Sequence, residues 1–284
     1  VVDNKERVLL KMLGHPRGDP SWPKQGRTLS QDMTKILADF PDLSTDGPHQ
    51  RGNYPAVTYG YMFGGGPKTP FNIRPPSRTH EKVIKRLERL PSIGRFVGHT
   101  NTGFGTGNPR LYTHLEDVLS DVRVHDPSLQ PPFGNSVFPA VTFNFGPQAL
   151  TIPHRDWQNV PYGWCAVTAL GDFDPTRGGH LILWELKLVI EFPPGSTILL
   201  PSAVITHSNA PIQEGETRQS FTQWCAGALV RWWAYGFRTE EGLGREDPKR
   251  KAELDAIRDA RWSSCIGLFS TLSDLKEDIR TFGK

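Results

Sequence analysis

Phe192-Pro193-Pro194-Gly195-Ser196-Thr197-Ile198-Leu199-Leu200-Pro201 reads as a turn followed by a strand. Pro and Gly set the turn, and the β-branched and aliphatic run Thr197–Leu200 suits a pleated, buried surface. Similar runs lie on both sides: Val137–Phe145, Gly163–Leu170, His180–Leu186, Leu188–Phe192, Gln219–Gln223 and Ala228–Tyr235. Short strands at near-regular spacing between Gly/Pro signals predict a sandwich, barrel or jelly roll. The fold class expected is mainly β with flanking helices. Residues 131–240 would form the core, 1–130 a helical and loop extension packed on it, and 241–284 a helical end.

The 284 residues are 37% hydrophobic and 22% charged, which suits one large domain with a sizeable core rather than a disordered chain. The 28 Gly and 25 Pro favour turns over a helix bundle. Three cysteines, Cys165, Cys225 and Cys265, stand far apart with no Cys-x-x-Cys pair. A disulfide scaffold or structural zinc is not expected, and a reducing compartment is. No run of 18 apolar residues predicts a membrane span. The start, Val1-Val2-Asp3-Asn4-Lys5, has neither an apolar signal run nor an initiator Met and reads as a trimmed end.

Outside the core, Gln31–Leu37 predicts a short helix with Ser30 as N-cap and Pro41 as its stop. Tyr59–Pro67, with Gly64-Gly65-Gly66, reads as a glycine-rich loop, either a lid or a plain connector. It lacks the Gly-Lys-Ser/Thr of a phosphate loop. Residues 79–90 predict a helix with Val83, Ile84, Leu87 and Leu90 on one face and Lys82, Lys85, Arg86 and Arg89 on the other. Between residues 71 and 110, eight Arg/Lys face two Glu, although the whole chain carries only +3. That stripe is either a solvated face or a phosphate-contacting one. In 247–284, Leu254, Ile257, Ala260, Trp262 and Ile266 form a face expected to pack on the core. Of the adjacent Trp232 and Trp233, one should face inward and one outward. His99, His114 and His125 read as loop histidines.

Pro153-His154-Arg155-Asp156-Trp157-Gln158-Asn159 carries the chemistry. In an extended segment, residues i and i+2 share a face, so His154 and Asp156 can point at one spot. His207, 53 residues on, follows the strand quoted first and is led back into the core. Two imidazoles and one carboxylate on one face of a metal leave adjacent positions open, an arrangement suited to non-haem Fe(II). Arg218-Gln219-Ser220 follows at the start of another strand. A guanidinium fork with a neighbouring hydroxyl is the receptor that the far carboxylate of 2-oxoglutarate needs.

The stretch 137–238 resembles the TET/JBP-like branch of the Fe(II)/2-oxoglutarate dioxygenases, and looks most like the short fungal members. The resemblance rests on His154-Arg155-Asp156-x-x-Asn159, Gly178-Gly179-His180-Leu181, Pro194-Gly195, His207 and Arg218-x-Ser220. It implies a double-stranded β-helix (jelly-roll) core, with His154, Asp156 and His207 on iron and Arg218 and Ser220 on 2-oxoglutarate. It implies further that His180 touches the cosubstrate, that Asn159 hydrogen-bonds a flipped base, and that Trp224 stands where animal members have a base-contacting tyrosine. Core packing for Trp224, a turn cap for Asn159 and an exposed position for His180 are the alternatives.

This sequence departs from the animal pattern in two residues: Gln158 replaces a histidine and Trp224 the tyrosine. It also lacks the cysteine-rich zinc region. The expected activity is oxidation of a methyl group on a nucleobase in DNA, 5-methylcytosine and/or N6-methyladenine, with O2 consumed and succinate and CO2 released. The alternative substrates are a small molecule, a protein side chain or RNA. A monomer with methylated DNA as partner, in the nucleus, completes the expectation.

Overall fold

The computed structural model describes residues 1–45 and 51–283. The first half runs β1 (Lys11–Leu13), α1 (Trp22–Asp39), a 3₁₀ turn (Pro41–Thr45), β2 (Ala56–Met62), β3 (Phe71–Asn72), α2 (Arg78–Leu87), α3 (Pro91–Gly107) and α4 (Pro109–His125). Then come β4 (Ala140–Asn144), β5 (Cys165–Asp172), β6 (Leu181–Leu183), β7 (Leu188–Ile190), β8 (Thr197–Leu200), β9 (His207–Asn209) and β10 (Thr217–Trp224). Five helices close the chain: α5 (Gly227–Ala234), α6 (Glu240–Glu246), α7 (Pro248–Ala256), α8 (Arg258–Ile266) and α9 (Leu275–Phe282).

Two antiparallel sheets form the jelly roll. The larger has the order β1-β8-β5-β10-β4-β2-β3, the smaller β7-β6-β9. Residues 1–130 therefore supply three strands of the larger sheet as well as four helices. Between the sheets lie Leu181, Leu183, Phe192, Ile198 and Leu200. On the opposite face of the larger sheet, Leu29, Met33 and Ile36 of α1 and Phe96 of α3 pack on Phe143 and Phe221. Both faces of the larger sheet are thus covered, so β10 is almost continuously buried rather than alternating. Its alternation survives as direction: Gln219 reaches Thr34 of α1 while Arg218 and Ser220 face the cavity between the sheets. Among the described residues, no helix is long and apolar enough to cross a membrane.

Thr197–Leu200 forms as read, and the other expected strands form within a few residues of their expected ends, with one exception, while β9 was not expected. Ala228–Tyr235 is not a strand but the helix α5. A short apolar run has no period that separates a strand from a buried helix, and Leu229 and Trp232 are buried in the cluster shared with α4. Trp232 does face inward, and Trp233 stays half-buried with its indole on Asp121.

Further corrections concern the helical layer. The expected short helix at 31–37 is the tail of α1, which starts at Trp22 with Pro23 in its first turn and contains Ser30 in its interior. Tyr59–Met62 belongs to β2, and Gly64–Gly66, all at positive φ, link it to β3. Helices α3 and α4 were absent from the sequence reading. Five glycines argue against α3, yet Gly103 lets the helix pack closely on β1: a Cβ would meet the Leu13 side chain at 2.2 Å and force it to shift. His99, His114 and His125 consequently lie on helices. His99 bonds the Gly14 carbonyl, His114 the Tyr162 hydroxyl, and His125 stacks on Phe237. At the C-terminus only Leu254 of the expected face is buried; Ile257 and Trp262 are about half exposed, and α8 buries nothing.

Candidate metal centre and anion pocket

His154 lies in an extended segment that pairs with β9: each of His154 and His207 donates its backbone N–H to the other's carbonyl, at 3.1 and 2.9 Å. This two-residue bridge puts the rings side by side, with centroids 4.3 Å apart. Each Nδ1 lies 2.9 Å from the carbonyl two residues back, Ile152 for His154 and Ile205 for His207. A carbonyl only accepts, so each Nδ1 carries the proton and each Nε2 keeps a lone pair. Asp156 is brought to the same point by its backbone N–H on the Ser202 carbonyl. Its carboxylate oxygens stand 3.6 Å from His154 Nε2 and 3.9 Å from His207 Nε2.

One donor atom from each of the three residues lies within 4.8 Å of the others, so one ion can touch all three. The fit to a divalent metal is supported by the carboxylate itself. Asp156 is 7% exposed, and its Oδ1 makes no hydrogen bond, although Arg51 Nη2 lies 2.6 Å away as an ion pair. Burial, and then the neighbouring His207, push the His154 pKa down, which keeps that imidazole neutral and free to ligate.

A cavity lies over this centre, lined by Asp156, His154 and His207 together with Arg218 and Ser220. Arg218 lies at one end, 3% exposed. Its Nη1 donates to the Ala149 carbonyl at 2.8 Å, its Nε has no partner, and no acidic side chain pairs with it among the described residues. Burial lowers its pKa to about 10, which leaves it a cation at neutral pH. Buried charge without a counter-ion is costly, so this end is built for an anion. Ser220 accepts from Asn144 Nδ2 at 3.0 Å, so its hydroxyl proton remains to be donated. The hydroxyls of Tyr54 and Thr151, 3.1 Å apart, line the same cavity. A dicarboxylate with one end on the metal and the other on Arg218 and Ser220 fits these donors.

Asn159 and Trp224 also line the cavity. Asn159 Nδ2 donates to Ser202 Oγ at 3.1 Å, leaving its Oδ1 as an acceptor, and Trp224 Nε1 donates to Thr142 Oγ1 at 3.0 Å. His180 and Gln158 are not cavity residues. Leu181 lines the wall in place of His180, because neighbouring strand residues face opposite ways. Gln158 is exposed in the turn after Asp156. The basic stripe lies outside the lining, with Lys82, Lys85 and Arg86 on α2 and Arg89 in the turn beyond its end at Leu87, and is partly spent on ion pairs: Lys85 with Glu81 at 2.6 Å and Arg86 with Asp39. Arg51, Tyr54, Thr142, Asn144 and Thr151 were missed by the sequence reading. Alternation along β4 could have flagged Thr142 and Asn144; nothing local marks Arg51.

The jelly roll brings together two histidines, one aspartate and a buried Arg-Ser anion receptor, a donor set that suits a divalent metal with a dicarboxylate beside it. No protein-family model and no curated protein matches the chain. Solved structures similar to it include NgTET1 in complex with 5mC DNA, at 14% identity, covering 70% of this chain and 69% of that one, with TM-score 0.48. A Pseudomonas putida prolyl-4-hydroxylase is 14% identical over 76% of this chain and 92% of its own, TM-score 0.37. The rice dioxygenase for auxin oxidation is 11% identical over 78% and 74%, TM-score 0.36. These are distant likenesses; the chemistry of the site rests on its own side chains.

Proposed function

We propose that this chain oxidises a methyl group on a nucleobase in DNA, 5-methylcytosine and/or N6-methyladenine, with Fe(II), 2-oxoglutarate and O2. The observation that carries the choice of substrate is the neutrality of the remaining cavity wall. Once Arg51, Asp156, Arg218 and the two imidazoles are set aside, the lining consists of hydroxyls, amides, aliphatic groups and one indole. Such a wall suits an uncharged planar group that hydrogen-bonds at its edge, and it disfavours a free amino acid or a small acid.

His154, Asp156 and His207 would hold the iron. Arg218 and Ser220 would hold the far carboxylate of 2-oxoglutarate and fix its direction along the cavity. Bound together, the metal and the cosubstrate supply O2 activation, with release of succinate and CO2 and oxidation of a substrate C–H bond. The chain's remaining part is orientation. The free Oδ1 of Asn159 would accept from an exocyclic amine, and the Trp224 indole, pinned by Thr142, would offer a fixed ring to the base. A base in a duplex must be flipped out to enter, with Lys82 of α2 and Arg89 in the turn after it available for phosphates. A nuclear location follows from this reading.

Methylated oligonucleotides incubated with Fe(II) and 2-oxoglutarate, scored by mass spectrometry of the released nucleosides, test it. Oxidised base is the expected result. Succinate formation without oxidised base would overturn the DNA reading in favour of a small molecule, a protein side chain or RNA.

A further inference from the structure

The charge balance of the cavity points to Arg51. Its backbone is pressed onto the segment that leads to His154: Ile152 N–H donates to the Arg51 carbonyl at 2.9 Å, and the Ile152 carbonyl in turn fixes His154 Nδ1. The next residue, Gly52, could carry no side chain there, since a Cβ would meet the Leu150 carbonyl oxygen at 2.4 Å. From this pinned base the half-exposed Arg51 side chain reaches inward to the buried Asp156 carboxylate, 2.6 Å away.

The guanidinium therefore sits against a residue that would hold the metal. Beside the imidazoles, the cavity lining carries Arg51 and Arg218 as cations and Asp156 as anion. Before anything binds, the described lining residues hold one net positive charge. A divalent ion alone triples that charge; a dianionic 2-oxoglutarate brings it back. Without Arg51 the lining would start neutral and return to neutral. Like charges within a few ångströms of each other in a partly buried site repel strongly, so Arg51 opposes the metal alone far more than it opposes metal and cosubstrate together.

We propose that Arg51 is an electrostatic coupler: its charge on Asp156 weakens retention of the bare metal and makes metal and 2-oxoglutarate bind cooperatively. The inference rests on the Fe(II)/2-oxoglutarate reading of the site and does not depend on which substrate is oxidised. Coupling is reciprocal, so the metal raises affinity for 2-oxoglutarate by the same factor.

Mn(II) binding to the full chain, followed by the electron paramagnetic resonance of free Mn(II) with and without 2-oxoglutarate, reads this directly without turnover. The wild type, Arg51→Gln, Arg51→Lys and His207→Ala are compared. In the wild type, 2-oxoglutarate should tighten Mn(II) by about tenfold or more. Arg51→Gln should bind Mn(II) alone more tightly and show a several-fold smaller effect of 2-oxoglutarate. Arg51→Lys, which keeps the charge and loses the fork, should retain the wild-type pattern. Unchanged Mn(II) affinity in Arg51→Gln, or an undiminished effect of 2-oxoglutarate, overturns the coupling. Weaker Mn(II) binding in Arg51→Gln also overturns it, and makes Arg51 an orienter of the carboxylate instead. If the wild type binds Mn(II) no better than His207→Ala, the metal-site reading itself fails and the coupling falls with it.

Discussion

Arg218 and Arg86 are both arginines at positions that the sequence singles out, and the structure treats them oppositely. Arg218 is buried between the sheets, has a backbone carbonyl as partner and no acidic one among the described residues, and faces a cavity. Arg86 sits partly exposed on α2 with Asp39 already on it. The first carries a demand that a ligand must meet. The second is satisfied by a neighbour and by water, and such surface pairs contribute only about 0–1 kcal/mol. Burial, rather than charge, separates a ligand receptor from a solvated face, and the same contrast ranks Asp156 above exposed acidic residues such as Glu240 and Asp255.

The comparison breaks first at its buried end. Asp156→Ala should abolish Mn(II) binding and 2-oxoglutarate turnover together; turnover that persists would remove Asp156 from the metal set. Arg218→Ala should come next. Removing one member of a buried charged contact costs about 2–5 kcal/mol, so half-saturation by 2-oxoglutarate should rise at least about thirtyfold, with metal binding nearly intact. A normal half-saturation would mean that the far carboxylate binds elsewhere.

Smaller effects belong to the neutral wall. Asn159→Ala should lower base oxidation about tenfold, roughly one lost hydrogen bond of about 1.4 kcal/mol, while decarboxylation of 2-oxoglutarate without substrate continues. If both fall equally, Asn159 acts through its bond to Ser202 as a structural turn residue. The exposed end should respond least. Lys82→Glu with Arg89→Glu should weaken oligonucleotide binding and reduce the slope of log affinity against log salt by about one per lost phosphate contact. An unchanged slope would leave α2 as a solvated face and sharpen the contrast with Arg218.

The readings that succeeded and failed divide along the same line. Thr197–Leu200 was legible because its strand residues are flanked by Pro and Gly, and the metal residues because His-x-Asp is a local pattern with a period of two. Ala228–Tyr235 failed because a short run, apolar but for Arg231, looks alike as a strand or as a buried helix. Helix α3 failed because its five glycines are disfavoured locally, and the contact that suits Gly103 to its place is with Leu13, a residue about ninety positions away.

By itself the sequence determined the donor chemistry: two imidazoles, a carboxylate and an Arg-x-Ser at spacings that a strand-rich segment can bring together. Tertiary structure alone decided what surrounds them. The bridge between His154 and His207 sets the rings side by side, and the pairing of β10 with β4 and β5 turns Arg218 and Ser220 into the cavity and Gln219 away from it. Arg51 reaches Asp156 from more than a hundred residues away, through a contact that no local pattern encodes. Covalent sequence fixes which groups exist. Their pKa values, partners and net charge depend on which others are buried beside them, and that is set only when distant segments pack.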